Sequence, residues 1–151
     1  MIVLKFGGTS VGSANSLKNV LQIIKSHAQK GSIQTVVASA LGGVTNKLIE
    51  VAESAEKSNP LYKDILKEIE KRHIELCNEL IPLYKRSGTI AEIKLLVNDL
   101  EDICKGIFLI QELSARSSDR ILSYGEQLST VILNDFISTS CLLYTSDAAD
   151  E

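Results

Sequence analysis

The stretch from Ile2 to Val11 constrains the fold more than any other. Ile2-Val3-Leu4-Lys5-Phe6 is a strand-forming apolar run interrupted by one lysine. Gly7-Gly8 and Thr9-Ser10 follow, and an amphipathic helical pattern begins within a few residues. The order is strand, tight turn, helix. Paired glycines reach backbone angles denied to other residues and let a ligand approach the main chain, while free N–H groups at a helix start favour an anion. With Lys5 as a cation and Thr9 and Ser10 as donors, the turn suits a polyphosphate. It is not the P-loop pattern, because the lysine precedes the glycines, nor the dinucleotide fingerprint, which needs a third glycine at set spacing. The same residues also fit a plain strand-turn-helix junction with a snorkelling lysine.

Leu17, Val20, Leu21, Ile24 and Ala28 recur at three and four residues, so the first helix has one apolar face. Ser13 or Asn15 is its expected cap and Gly31 its expected end. Ile33 to Ala40, centred on Thr35-Val36-Val37, reads as the second strand. Strand, helix and strand of this length imply a right-handed parallel crossover, which brings both strand ends to one sheet edge and Lys5 near Ser39. Ser39-Ala40-Leu41-Gly42-Gly43-Val44-Thr45-Asn46 then repeats the logic of the opening loop: strand end, paired glycines, polar residues at a helix start. In open α/β sheets ligands bind beyond the carboxyl ends of strands, so two such turns on one edge suggest a phosphate-handling cleft. The alternative for Gly42-Gly43 is a merely flexible turn.

Lys57-Ser58-Asn59-Pro60 is a break. Two long helices are expected next, from Leu61 to Lys85 and from Ile90 to Gln111, with Arg86-Ser87-Gly88-Thr89 as the turn and Pro82 kinking or ending the first. They form an antiparallel pair, on the sheet or beside it as a cap. Their charges, as in Lys67-Glu68-Ile69-Glu70-Lys71-Arg72, read as a solvated face without chemistry. A polar stretch from Glu112 to Arg120 leads to Ser123-Tyr124-Gly125-Glu126-Gln127-Leu128-Ser129, which places Glu126 near the start of a final helix. There it is either a first-turn carboxylate favoured by the helix terminus or an acceptor for a substrate ammonium. The helical pattern is expected to stop at Ser140. Cys141 to Glu151 resembles translated adapter sequence, so residues 1–139 read as part of one domain and 140–151 as a non-native tail.

Composition narrows the function. The 151 residues carry a formal charge of -3, with lysine and arginine scattered among acids, so there is no nucleic-acid footprint. No run reaches membrane-spanning length and no signal peptide opens the chain, which points to the cytoplasm. Cys77, Cys104 and Cys141 are far apart and His27 and His73 are isolated, so no metal site of cysteine or histidine and no base-activated nucleophile is expected.

Lys5-Phe6-Gly7-Gly8-Thr9-Ser10, Ser39 to Asn46 and Ser123 to Ser129 resemble, in order and approximate spacing, the N-terminal half of aspartate kinases in the amino-acid kinase superfamily. The resemblance covers roughly Met1 to Thr139. It implies a three-layer α/β/α amino-acid kinase (carbamate kinase-like) fold, of which only the N-terminal portion is here. It also implies transfer of the ATP γ-phosphoryl group to the β-carboxylate of L-aspartate, with Mg²⁺, on the way to lysine, threonine, methionine and isoleucine. By similarity Lys5 contacts the phosphates and stabilises the transferring group, Gly7, Gly8, Thr9 and Ser10 form the nucleotide loop, Ser39 and Thr45 hold aspartate, and Glu126 faces its amino group. Gly42-Gly43 departs slightly from the small-residue-plus-glycine form of the family. The helix before Glu112-Leu113-Ser114-Ala115-Arg116 leans toward the bifunctional aspartate kinase/homoserine dehydrogenases, and a full-length enzyme of this kind is expected to be homo-oligomeric. The rivals are a superfamily member acting on glutamate, carbamate or a nucleotide monophosphate, and a non-catalytic amino-acid or nucleotide sensor.

Overall fold

The computed structural model describes residues 2–29 and 33–146. Its elements run β1 (Ile2–Phe6), α1 (Ala14–Ala28), β2 (Ile33–Ala38), α2 (Val44–Glu56), α3 (Leu61–Leu80), α4 (Leu83–Ile110) and α5 (Ala115–Ser146). β1 and β2 pair in parallel, with Lys5 opposite Val37 and Phe6 opposite Ala38. The parallel pairing is therefore as expected. Successive strand side chains alternate between faces, and Phe6 is buried while Val3, Lys5 and Val37 are exposed. Ser13 caps α1, its side chain accepting from the Ser16 N–H at 3.2 Å. The helix ends at Ala28, and the expected stop at Gly31 lies outside the described residues. β2 ends two residues earlier than expected, leaving Ser39 and Ala40 to the loop.

Pro82 ends the first helix of the pair, one of the two outcomes expected for it, and the expected turn at 86–89 is not where the break falls. α3 stops at Leu80, and Ile81 takes the extended conformation (φ -96°, ψ 129°) that a following proline enforces. Arg86-Ser87-Gly88-Thr89 lies inside α4, not in a turn. These polar residues serve the fold from within the helix. Arg86 Nε and Nη2 donate to the Ile81 carbonyl at 3.2 and 3.0 Å, closing the end of α3. Buried Thr89 donates to Asp135 Oδ2 of α5 at 2.7 Å. The pair packs mainly on α2 and α5, beside the strands.

A second boundary also moves. The Ser114 side chain accepts from the Ser117 N–H at 3.1 Å, a capping contact that starts α5 at Ala115. Glu126 therefore lies deep in the helix, where the terminal dipole has faded, and the first-turn reading does not hold. Nor does the helix stop at Ser140, since α5 continues to Ser146. Ile121, Leu128 and Ile132 on α5 are fully buried. At about 1.5–3 kcal/mol each, they outweigh the roughly 1 kcal/mol that Gly125 costs a helix interior.

Cys77 and Cys104 are buried free thiols. Burial, reinforced by Glu101, pushes the Cys104 thiol up to about 12, so it is a chemically quiet core residue. No described helix is long and apolar enough to cross a membrane.

Candidate functional site

The two glycine loops are joined to each other. The Ser10 N–H donates to the Gly7 carbonyl at 2.9 Å and closes the first turn. The Ser39 N–H donates to the Phe6 carbonyl at 3.0 Å, carrying the parallel pairing just past β2. The Gly42 N–H then donates to the Gly8 carbonyl, also at 3.0 Å. This contact explains two glycines. A Cβ on Gly8 would stand 3.0 Å from the Ala40 carbonyl oxygen, and one on Gly42 3.2 Å from the Gly8 oxygen. Gly43 has a different reason, its positive φ of 84° at the start of α2.

Gly7 has neither reason. A Cβ there meets nothing within 4 Å, and its φ is not in the left-handed region. The two positions should therefore separate in thermal denaturation. Gly8→Ala forces backbone apart and should cost about 1–3 kcal/mol, whereas Gly7→Ala should stay within about 0.5 kcal/mol of the parent.

α5 clamps the second loop from the other side. A Cβ on Gly125 would come 2.8 Å from the Ala40 Cβ and 3.2 Å from Leu48 Cδ1, so glycine is what lets α5 lie this close to α2. From that position Glu126 Oε1 accepts from the Ala40 N–H at 3.3 Å, and Ser129 Oγ donates to the Ser39 carbonyl at 2.8 Å. The second Glu126 oxygen makes no hydrogen bond among the described residues, and the side chain is exposed. A cleft of about 340 Å³ opens beside it, lined by Glu92, Leu96, Gln127 and Thr130.

Lys5 is exposed and makes no hydrogen bond or ion pair among the described residues. Thr9, Ser10 and Thr45 are exposed around the same strand ends, and Ser39 is half-buried. The stretches singled out in the sequence thus meet at one end of the β1–β2 pair. Arg72 was missed. The sequence assigns it to a solvated face, and its neighbours behave so: Lys67 pairs with Asp64 at 3.1 Å and Lys71 with Glu75 at 3.9 Å. Arg72 instead donates to the carbonyls of Gly42 at 2.7 Å and Gly12 at 3.3 Å. Its spacing from buried Ile65, Ile69 and Leu76 sets it on the inward stripe of α3, and that was the readable signal.

The described residues contain no group of three or more histidine, cysteine, aspartate or glutamate side chains able to hold a metal ion.

Residues 1–146 match the amino acid kinase family. The chain belongs to that family. Among curated members, the chain is 34% identical over 140 residues to aspartokinase 1, chloroplastic, of Arabidopsis thaliana, covering 91% of the chain and 23% of the relative. It is 30% identical over 142 residues to the bifunctional aspartokinase/homoserine dehydrogenase of Buchnera aphidicola, covering 92% of the chain and 17% of the relative. Its fold matches E. coli aspartokinase III, solved in complex with aspartate and ADP, with a TM-score of 0.78 and 26% identity, covering 91% of the chain and 29% of that structure. The chain thus spans less than a quarter of the length of these curated relatives. It has the N-terminal portion of the amino-acid kinase fold.

Proposed function

We propose that this amino acid kinase supplies the N-terminal part of an aspartate kinase, which transfers the ATP γ-phosphoryl group to the β-carboxylate of L-aspartate and yields 4-phospho-L-aspartate and ADP. That reaction opens aspartate-family amino-acid biosynthesis. The observation that carries the reading is the junction of the two loops through Gly42 and Gly8, with Glu126 reaching the second loop at Ala40. One loop has the cation and open main chain that a triphosphate needs, and the other has hydroxyls within a turn of an uncompensated carboxylate oxygen.

An aspartate side chain has a reference pKa of about 3.9, so at neutral pH the acceptor is already an anion and needs no base. The harder task is to hold that anion in line with a triphosphate. Positioning and charge neutralisation accomplish it. In this reading Lys5 contacts the phosphates, Gly7, Gly8, Thr9 and Ser10 surround them, Ser39 and Thr45 hold aspartate, and Glu126 takes its ammonium on the oxygen not given to Ala40. Mg²⁺ would arrive with the nucleotide and neutralise phosphate charge.

Glu126→Ala in the full-length enzyme tests the assignment. A charge-assisted hydrogen bond of this kind is worth about 1.5–3 kcal/mol, so the aspartate KM should rise at least about tenfold while the ATP KM changes little. An unchanged aspartate KM accompanied by thermal destabilisation would make Glu126 only the clamp on Ala40.

A further inference from the structure

Arg72 lies on α3, outside both glycine loops, yet it joins them. Nη1 donates to the Gly42 carbonyl at 2.7 Å and Nη2 to the Gly12 carbonyl at 3.3 Å. The peptide of Gly42 passes the connection on, since its neighbouring N–H donates to the Gly8 carbonyl at 3.0 Å. One planar guanidinium therefore sets the separation between the end of the first loop and the tip of the second. Carboxylates are close at hand, because Glu75 and Glu79 line the same cleft as Arg72, Gly12 and Leu41. Glu75 pairs with Lys71 and Glu79 with Lys18, and Arg72 forms no ion pair among the described residues. Its charge is spent on two main-chain carbonyls, a use that exploits the rigid fork of arginine and that the single ammonium of lysine cannot reproduce.

We propose that Arg72 is a positioning residue for phosphoryl transfer: it fixes the spacing between the nucleotide loop and the acceptor loop, and so the distance across which the two substrates meet. This rests on the reading of the two loops given above. It adds that α3 is part of the apparatus. Misplacement of reacting groups by about 1 Å costs on the order of 100-fold in rate, so loss of the fork acts on turnover without removing any group that touches substrate.

The test compares the full-length enzyme with Arg72→Lys, which keeps the charge, and Arg72→Met, which keeps most of the stem. The readouts are steady-state kinetics and hydrogen exchange in peptides spanning residues 8–12 and 40–44. For Arg72→Lys, kcat should fall about 10- to 100-fold, KM for ATP and aspartate should stay within about threefold, and exchange in both loops should rise at least about tenfold, as expected for one lost hydrogen bond to a charged group. Arg72→Met should show the same pattern, and if it fails to fold, Arg72→Lys alone decides. Unchanged exchange in both loops, or a kcat per folded molecule equal to the parent, overturns the proposal. Faster loop exchange in variants of a parent that makes no aspartate-dependent ADP supports the loop-setting role and overturns the aspartate kinase reading instead.

Discussion

Replacing Lys5 by alanine should lower kcat of the full-length enzyme about 10²–10³-fold, the range for removal of one preorganised group that stabilises developing charge. Folding should scarcely change. Lys5 is exposed on β1 and makes no ion pair or hydrogen bond among the described residues, so its loss should move stability by no more than about 0.5 kcal/mol. The contrast is the point of the experiment. A lysine that merely snorkels at a strand end gives small effects on both quantities, whereas one that meets phosphate gives a large effect on one. Arginine should not rescue it fully, because a planar fork does not replace a compact ammonium. Near-normal turnover of Lys5→Ala would remove the lysine from the chemistry and overturn its assigned role at the phosphates.

Acid should weaken the fold through His73. This side chain is fully buried on α3, with Nδ1 2.6 Å from the Ile69 carbonyl oxygen and Nε2 without a partner among the described residues. Burial lowers its pKa to about 4; the Ile69 hydrogen bond opposes that shift and the charge of Arg72 adds to it. Between about 6.5 and about 4, the unfolded chain takes up a proton that the native chain refuses. Stability from this group is thus complete above pH 6.5 and is lost as pH falls toward 4, at about 1.4 kcal/mol per unit and about 3 kcal/mol in all. Denaturant titrations at a series of pH values should show the slope in the parent and lose it in His73→Leu. The difference between the two chains isolates His73 from carboxylates titrating at the lower end. An equal slope in both would place the acid sensitivity elsewhere.

Much of the candidate site was legible because its signals are local. A strand ending in Lys5-Phe6, a glycine pair, and a second strand one helix later suffice to predict the parallel pairing that brings Ser39 to Phe6. The helix boundaries that were misjudged depend on distant partners. Ser87 and Gly88 look like a turn until Thr89 finds Asp135 on α5 and Arg86 reaches back to Ile81. The serines before Arg120 look like a linker until Ser114 caps Ser117, and that cap moves Glu126 from a helix start to a helix interior. Arg72 was hidden by its company, since Lys67 and Lys71 beside it pair locally on the outer face of α3. Its phase on α3 was the only local sign, and the carbonyls it serves are 30 and 60 residues away in sequence.

The grip of α5 on Ser39 and Ala40 means that a helix stands in for the next strand. Ser129 satisfies one main-chain acceptor and Glu126 the adjacent main-chain donor, work that a neighbouring strand performs within a sheet. Side chains three apart on a helix share a face, and the same face carries the glycine that permits close approach. A residue inserted between Glu126 and Ser129 would turn everything beyond it by about 100°, parting Ser129 from Ser39 while Glu126 stayed in place. Glu126 and Ser129 therefore hold the second glycine loop as a single fitting, and evolution or design can relocate it only as a unit.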